Sequence, residues 1–122
     1  MYSAQVLDHS AHPRNVGTVA DASAKSLMRS AFDSDTVLIS LRIENNIVAE
    51  VKFKCMGCAV AIACSSMATE MVLGKAVEEA YALTEQAVAD ALGGIPAYKM
   101  RCSNLAPAAI RNALDEWRSK RI

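Results

Sequence analysis

The chain has 122 residues, 52% apolar but only 5% aromatic, with 13 basic and 13 acidic side chains. That length fits one domain spanning residues 1–122, with a core of Ala, Val, Leu, Ile and Met rather than rings. The charge balance offers neither the basic excess of a nucleic-acid binder nor attraction to an anionic membrane, and no apolar run approaches the ~20 residues that span a bilayer.

The opening MYSAQVLDHSAHPRN lacks a basic start followed by an apolar run, so no signal peptide is read there and the expected compartment is cytoplasmic. In that compartment four cysteines read as reduced thiols, metal ligands or redox groups rather than structural disulfides.

In chain order, residues 3–12 suggest a short amphipathic helix with Ser3 as N-cap and an apolar face of Val6 and Leu7. Pro13 ends it, and HPRNVG continues as a turn. Residues 21–26 read as loop or short helix, and 27–32 as a first strand. TVLISLRIE (36–44) is a stronger strand, with Val37, Ile39, Leu41 and Ile43 on one face. Asn45-Asn46 fits a tight turn. Residues 47–55 form the return strand, with Ile47, Ala49, Val51, Phe53 and Cys55 inward and Glu50, Lys52 and Lys54 outward. After Gly57 the pattern becomes helical over 58–73, with Gly74 as a stop. A short helix over 77–82 follows. A third starts after Thr84 and ends at Gly93-Gly94. Residues 95–100 read as extended, and a last helix runs over 103–120 with Pro107 in its first turn. The expected fold is α+β: a three-stranded antiparallel sheet with about five helices on one face.

The chemistry concentrates in FKCMGCAVAIACSS (53–66), where a strand end, a glycine turn and a helix start carry three of the four cysteines. Cys55 and Cys58 form C-x-x-C, a spacing that suits one metal or a redox pair. Cys58 stands at a helix N-terminus, where the dipole and free amides favour the thiolate. Cys102, in KMRCSNLA, has the same placement before the last helix. Cys64 falls about 240° around the helix from Cys58 and reads as a core thiol. Cys55 continues the apolar face of its strand, so packing and ligation stand level there. His9 and His12 lack ligand spacing with any cysteine and read as surface or loop residues. Asp33 and Asp35, in AFDSDT, read locally as turn chemistry.

Together these residues resemble the IscU/NifU N-terminal family of iron–sulfur cluster scaffold proteins, over nearly the whole chain. YSAQVLDHSAHPRNVG is similar to that family's Y-x-x-x-V-x-D-H-x-x-x-P-R-N-V-G opening. FKCMGCAVAIACSSMATEMVLGK is similar to its F-K-x-x-G-C-x-x-A-I-A-x-S-S-x-x-T-E-x-x-x-G-K stretch, and KMRCSNLAPAAI to K-I-H-C-S-x-L-A-x-x-A-I. The resemblance implies a non-enzymatic carrier for a nascent [2Fe–2S] cluster. Its iron is joined to sulfur from a cysteine desulfurase, and the product passes to iron–sulfur acceptor proteins. It makes Cys58 and Cys102 the matched ligands and Asp35 the aspartate of an A-C-G-D motif, which is thought to keep the cluster labile.

Three positions depart from the pattern. Asp33 stands where the family has its first cysteine. Arg101 stands where it has histidine, and an arginine stays protonated and cannot ligate. The expectation is therefore a modified site: Cys58 and Cys102, completed by Cys55 and by Asp33 or Asp35. The third departure is IPAYK (95–99), where bacterial scaffolds carry an L-P-P-V-K segment read by a DnaK-type chaperone. Only Pro96 and Lys99 match outright, which leaves chaperone handling in doubt. A site short of ligands leaves open a homodimer around one shared cluster. The competing readings are a divergent paralogue that binds zinc or mononuclear iron without scaffold activity, and a thiol oxidoreductase using Cys55 and Cys58. The second lacks a thioredoxin-like βαβ pattern.

Overall fold

A computed structural model describes residues 2–30 and 34–120. Three strands form one antiparallel sheet in the order β1-β2-β3: β1 Ala24–Arg29, β2 Thr36–Glu44 and β3 Ile47–Met56. Five α-helices accompany it among the described residues: α1 Ala4–Ala11, α2 Ala59–Val72, α3 Val77–Tyr81, α4 Glu85–Ala91 and α5 Leu105–Ser119. A 3₁₀ helix, Ala97–Ser103, leads into α5. None of the helices is long and apolar enough to cross a membrane.

The β2–β3 connection is as tight as Asn45-Asn46 suggests, with φ of 53° and 63°. These are left-handed values that asparagine tolerates better than most residues. Alternation then buries Val37, Ile39 and Leu41 from β2 and Val51 and Phe53 from β3 on the inner face. α5 crosses β1 and β2 on that face, and α2 covers β3. The side chains they bring are small: Val60, Ala61, Ala63, Cys64, Ala68 and Val72 from α2, and Ala106, Ala109, Ile110, Ala113 and Leu114 from α5. Small residues let helix and sheet backbones approach closely, which is how a core almost without rings is filled. Phe53, 2% exposed, is its largest fully buried side chain.

The structure corrects several sequence readings. The first strand lies three residues earlier than expected, replacing the loop or short helix read at 21–26. Ala24 and Ser26 face inward while Lys25 and Leu27 are exposed. Phe32 lies outside the described residues. The return strand does not alternate strictly. Its register with β2 shifts between Arg42 and Ile43, so Val48 is buried and Ile47 is 37% exposed. The bulge inserts an extra residue, which re-aims every side chain before it. Residues 97–103 are a 3₁₀ helix rather than extended chain.

At the N-terminus Ser3 caps α1 by accepting the amide of Val6, but only Val6 is buried; Leu7 is 55% exposed. The second inward residue is His9, 5% exposed, not the surface residue expected. The reason is polar: His9 Nδ1 lies 2.8 Å from Ser66 Oγ on α2, and the same oxygen accepts the Arg14 amide at 2.9 Å. Asn15 extends this seam, with its side-chain amide donating to Thr69 Oγ1. Its carbonyl accepts the Phe53 amide, and Gly17 donates back to the Phe53 carbonyl. HPRNVG is thus a polar clasp along the outer edge of β3 and across α2. It fixes the strand–turn–helix stretch from both sides.

Candidate metal centre

The site forms where β2 begins, between the start of α2 and the end of the 3₁₀ helix that leads into α5. Cys58 is the N-cap residue of α2, with extended backbone (φ −73°, ψ 168°) and its sulfur accepting the Ala61 amide at 3.5 Å. A thiol here occupies the place usually taken by a Ser or Asp oxygen. Cys102 sits near the end of the 3₁₀ helix and is 3% exposed. The two sulfurs are 3.6 Å apart.

Asp35 immediately precedes β2 and is 7% exposed. Its backbone carbonyl accepts the Ser30 amide, which anchors it to the end of β1. Its two carboxylate oxygens divide their work. Oδ1 accepts the backbone amide of Cys58 at 3.3 Å, one of the free donors at the start of α2. Oδ2 faces both thiols, 3.6 Å from Cys58 Sγ and 3.8 Å from Cys102 Sγ. Gly57 permits this approach: a Cβ there would stand 2.7 Å from Oδ1.

Asp35, Cys58 and Cys102 can each offer one donor atom, all within 4.8 Å of one another. No other group of three or more His, Cys, Asp or Glu residues meets that geometry among the described residues. Two soft sulfurs and one carboxylate oxygen suit iron or zinc, with positions left over for further ligands. Burial first, then the neighbouring Cys58 and the Asp35 charge, hold the Cys102 thiol well above the usual range. The protein without metal therefore keeps this proton, and a metal must displace it.

The other described candidates are not among these three donors. Cys55 is half-buried, packs at the edge of the core and is not one of the three convergent donors. Burial pushes its thiol to about 11, opposed by a hydrogen bond from Ser65. Cys64 is fully buried, as its helical position predicts, and burial raises its thiol strongly. It does not point clear of the site, however: Cys102, Cys58 and Cys55 are all close enough to raise it further. Asp33 lies outside the described residues. Locally Asp35 reads as turn chemistry, and the signal that singles it out is the family resemblance, which matches it to the A-C-G-D aspartate. Arg101 is exposed on the 3₁₀ helix beside Cys102.

The chain matches the NifU-like N terminal domain family over residues 1–122. It is 47% identical over 117 residues to the iron–sulfur cluster assembly scaffold protein IscU 1 of Archaeoglobus fulgidus, covering 96% of this chain and 76% of that protein. Against the scaffold protein IscU of Aquifex aeolicus it is 38% identical over 121 residues, covering 98% and 77%. Among solved structures, a putative iron–sulfur cluster assembly scaffold protein for the SUF system from Fervidobacterium islandicum aligns with a TM-score of 0.76 at 20% identity, over 93% of this chain and 96% of that one. A NifU-like N-terminal protein from Brucella abortus aligns at 0.75 and 20%, over 96% and 94%. At that identity the two structures bear on the fold alone.

Proposed function

The chain belongs to the NifU-like N-terminal family, and we propose that it is an iron–sulfur cluster assembly scaffold, a carrier rather than an enzyme. The observation that carries this reading is the convergence of Cys58, Cys102 and Asp35 at the start of α2. The cargo is iron and sulfide, held as a nascent [2Fe–2S] cluster. In this reading the cytoplasmic protein receives sulfur from a cysteine desulfurase and hands the finished cluster to acceptor proteins.

The residues divide the task by chemistry. Cys58 and Cys102 supply thiolates, the usual ligands of iron–sulfur clusters. Asp35 supplies a harder oxygen, a weaker partner for such a cluster, and so leaves a bond that an acceptor thiol can replace. Its other oxygen stays on the Cys58 amide, so the carboxylate is held in place while it exchanges. Three donors do not complete the four protein bonds of a [2Fe–2S] centre. Cys55, Asp33 or a second copy of the chain supplies the remainder.

Anaerobic reconstitution with ferrous iron and sulfide tests this. The wild-type protein is expected to gain cluster absorption, and Cys58→Ala or Cys102→Ala to abolish it. A wild-type protein that stays colourless, with iron at background, refutes the scaffold reading. The count of three donors favours one second reading, a site for zinc or mononuclear iron with an open position. Stoichiometric zinc without sulfide in the protein as purified would select it.

A further inference from the structure

The sequence offers Cys55 and Cys58 as its thiol–disulfide pair, on C-x-x-C spacing alone. The geometry selects a different partner. Cys58 Sγ and Cys102 Sγ are 3.6 Å apart, whereas Cys55 stands outside the convergent group. A disulfide bond is about 2.05 Å long, so the two sulfurs need to close by roughly 1.5 Å.

The structure provides compliance for that movement. Cys102 rides on a 3₁₀ helix of seven residues. Such runs rarely exceed three or four residues, because their hydrogen-bond geometry is poorer than in an α-helix. Upstream of it, Gly93 and Gly94 hold φ of +78° and +101°. That conformation is open to glycine and places a soft joint at the start of the segment. Cys58, in contrast, is fixed at the cap of a buried helix. One sulfur is anchored and the other is carried by an adjustable element.

Access differs as well. Cys58 is half-buried and Cys102 only 3% exposed, so a small oxidant meets Cys58 first and Cys102 lies behind it.

We propose that Cys58 and Cys102 form a reversible dithiol–disulfide pair, oxidised by a hydroperoxide, which closes the metal centre when it forms. The consequence for metal rests on the scaffold reading; the disulfide itself does not. In the first step the Cys58 sulfur attacks the O–O bond of hydrogen peroxide, giving a sulfenic acid and one water after proton transfer. In the second the Cys102 sulfur attacks Cys58 Sγ, the S–S bond forms, and the sulfenic oxygen leaves as a second water. The two sulfurs together lose two electrons, and the peroxide gains them. A dithiol reductant reverses the change. Metal and disulfide compete for the same two sulfurs, so each excludes the other.

The experiment treats the metal-free full chain with hydrogen peroxide, then counts thiols and maps disulfides in a non-reducing digest. Free thiols are expected to fall from four to two, with a Cys58–Cys102 peptide pair that dithiothreitol releases. Cys55→Ser should give the same linkage. Cys102→Ser, treated with oxidised glutathione, should instead trap glutathione on Cys58. Protein preloaded with zinc should keep its thiols, and oxidised protein should take up no zinc until reduced. A Cys55–Cys58 linkage, or oxygen addition to Cys58 without a cross-link, overturns the proposal. Failure of the scaffold reading is separately visible: that protein would form the Cys58–Cys102 bond yet assemble no cluster.

Discussion

Gly57→Ala is the most exacting test of the site's geometry. The added Cβ would lie 2.7 Å from Asp35 Oδ1, 2.8 Å from its Cγ and 3.2 Å from its Cβ. Ordinary contact begins near 3.4 Å, so the carboxylate must retreat by roughly 0.7 Å. Rotation about the side chain does not relieve this, because the Asp35 Cβ is itself too close and its backbone is tied to Ser30. The 3.3 Å bond from the Cys58 amide to Oδ1 is already long and would break. Overpacking of this kind costs about 1–3 kcal/mol. The assay is a double-mutant cycle in urea, read alongside metal affinity. Alone, Gly57→Ala should destabilise within that range and weaken metal binding. In an Asp35→Ala background the 2.7 and 2.8 Å contacts are gone and only the 3.2 Å contact with the Cβ remains, so the same change should cost clearly less than in the wild-type background. An equal cost in both backgrounds would refute the steric argument.

Three further outcomes follow from the clasp and the caps. Burial, then the Arg14 charge, lower the His9 pKa below 6.5. A base with a depressed folded value binds fewer protons folded than unfolded, so its stabilising effect is complete above pH 6.5 and is lost as pH falls toward the folded value. Thermal melts from pH 7.5 to 5, about a unit or more either side of the free-histidine value, should show this decline, and His9→Gln should flatten it. Ser3→Ala removes both the cap on Val6 and the hydroxyl bond to the Leu92 carbonyl, and should cost about 1–2 kcal/mol in denaturant titration. Asn45→Val puts a β-branched residue at φ 53° and should cost about 1–2 kcal/mol by the same measurement, with cluster assembly unchanged because the turn is remote from the cysteines.

The elements that were legible in the sequence are those whose local signals and tertiary environment agree. Thr36–Glu44 alternates because one face is buried, and Asn45-Asn46 turns because asparagine accepts positive φ. Thr84 and Ser3 cap helices by the hydrogen bonds their hydroxyls were expected to make. The misreadings share a cause in long-range contact. β1 pairs Ala24 with Leu41 and Arg29 with Thr36, and nothing local in Ala24–Arg29 announces that register. The bulge opposite Arg42 moves Val48 inward against an otherwise regular pattern. His9 looks like a helix-surface residue until Ser66, 57 positions away, supplies its partner.

The metal centre divides along the same line. Cys58 and Cys102 were readable because each carries its own local signal, a glycine turn or a helix start, and because the family resemblance matched both. Asp35 carries no such local signal and is matched by the resemblance alone. A carboxylate in a turn rich in Asp and Ser is ordinary chemistry, and only the fold sets it 3.6 Å from one sulfur and 3.8 Å from another. Cys55 is the converse case. Its C-x-x-C spacing is a strong local signal, yet the strand hands it to the edge of the core, where burial raises its thiol to about 11. Here β3 continues through Met56, and alternation sets Cys55 on the face of Phe53 and Val51, outside the group of three donors yet near enough to Asp35 and Cys58 for their charges to raise it. The thiol that spacing could not pair with Cys58 is Cys102, brought from 44 residues away to 3.6 Å because the end of the 3₁₀ helix meets the start of α2.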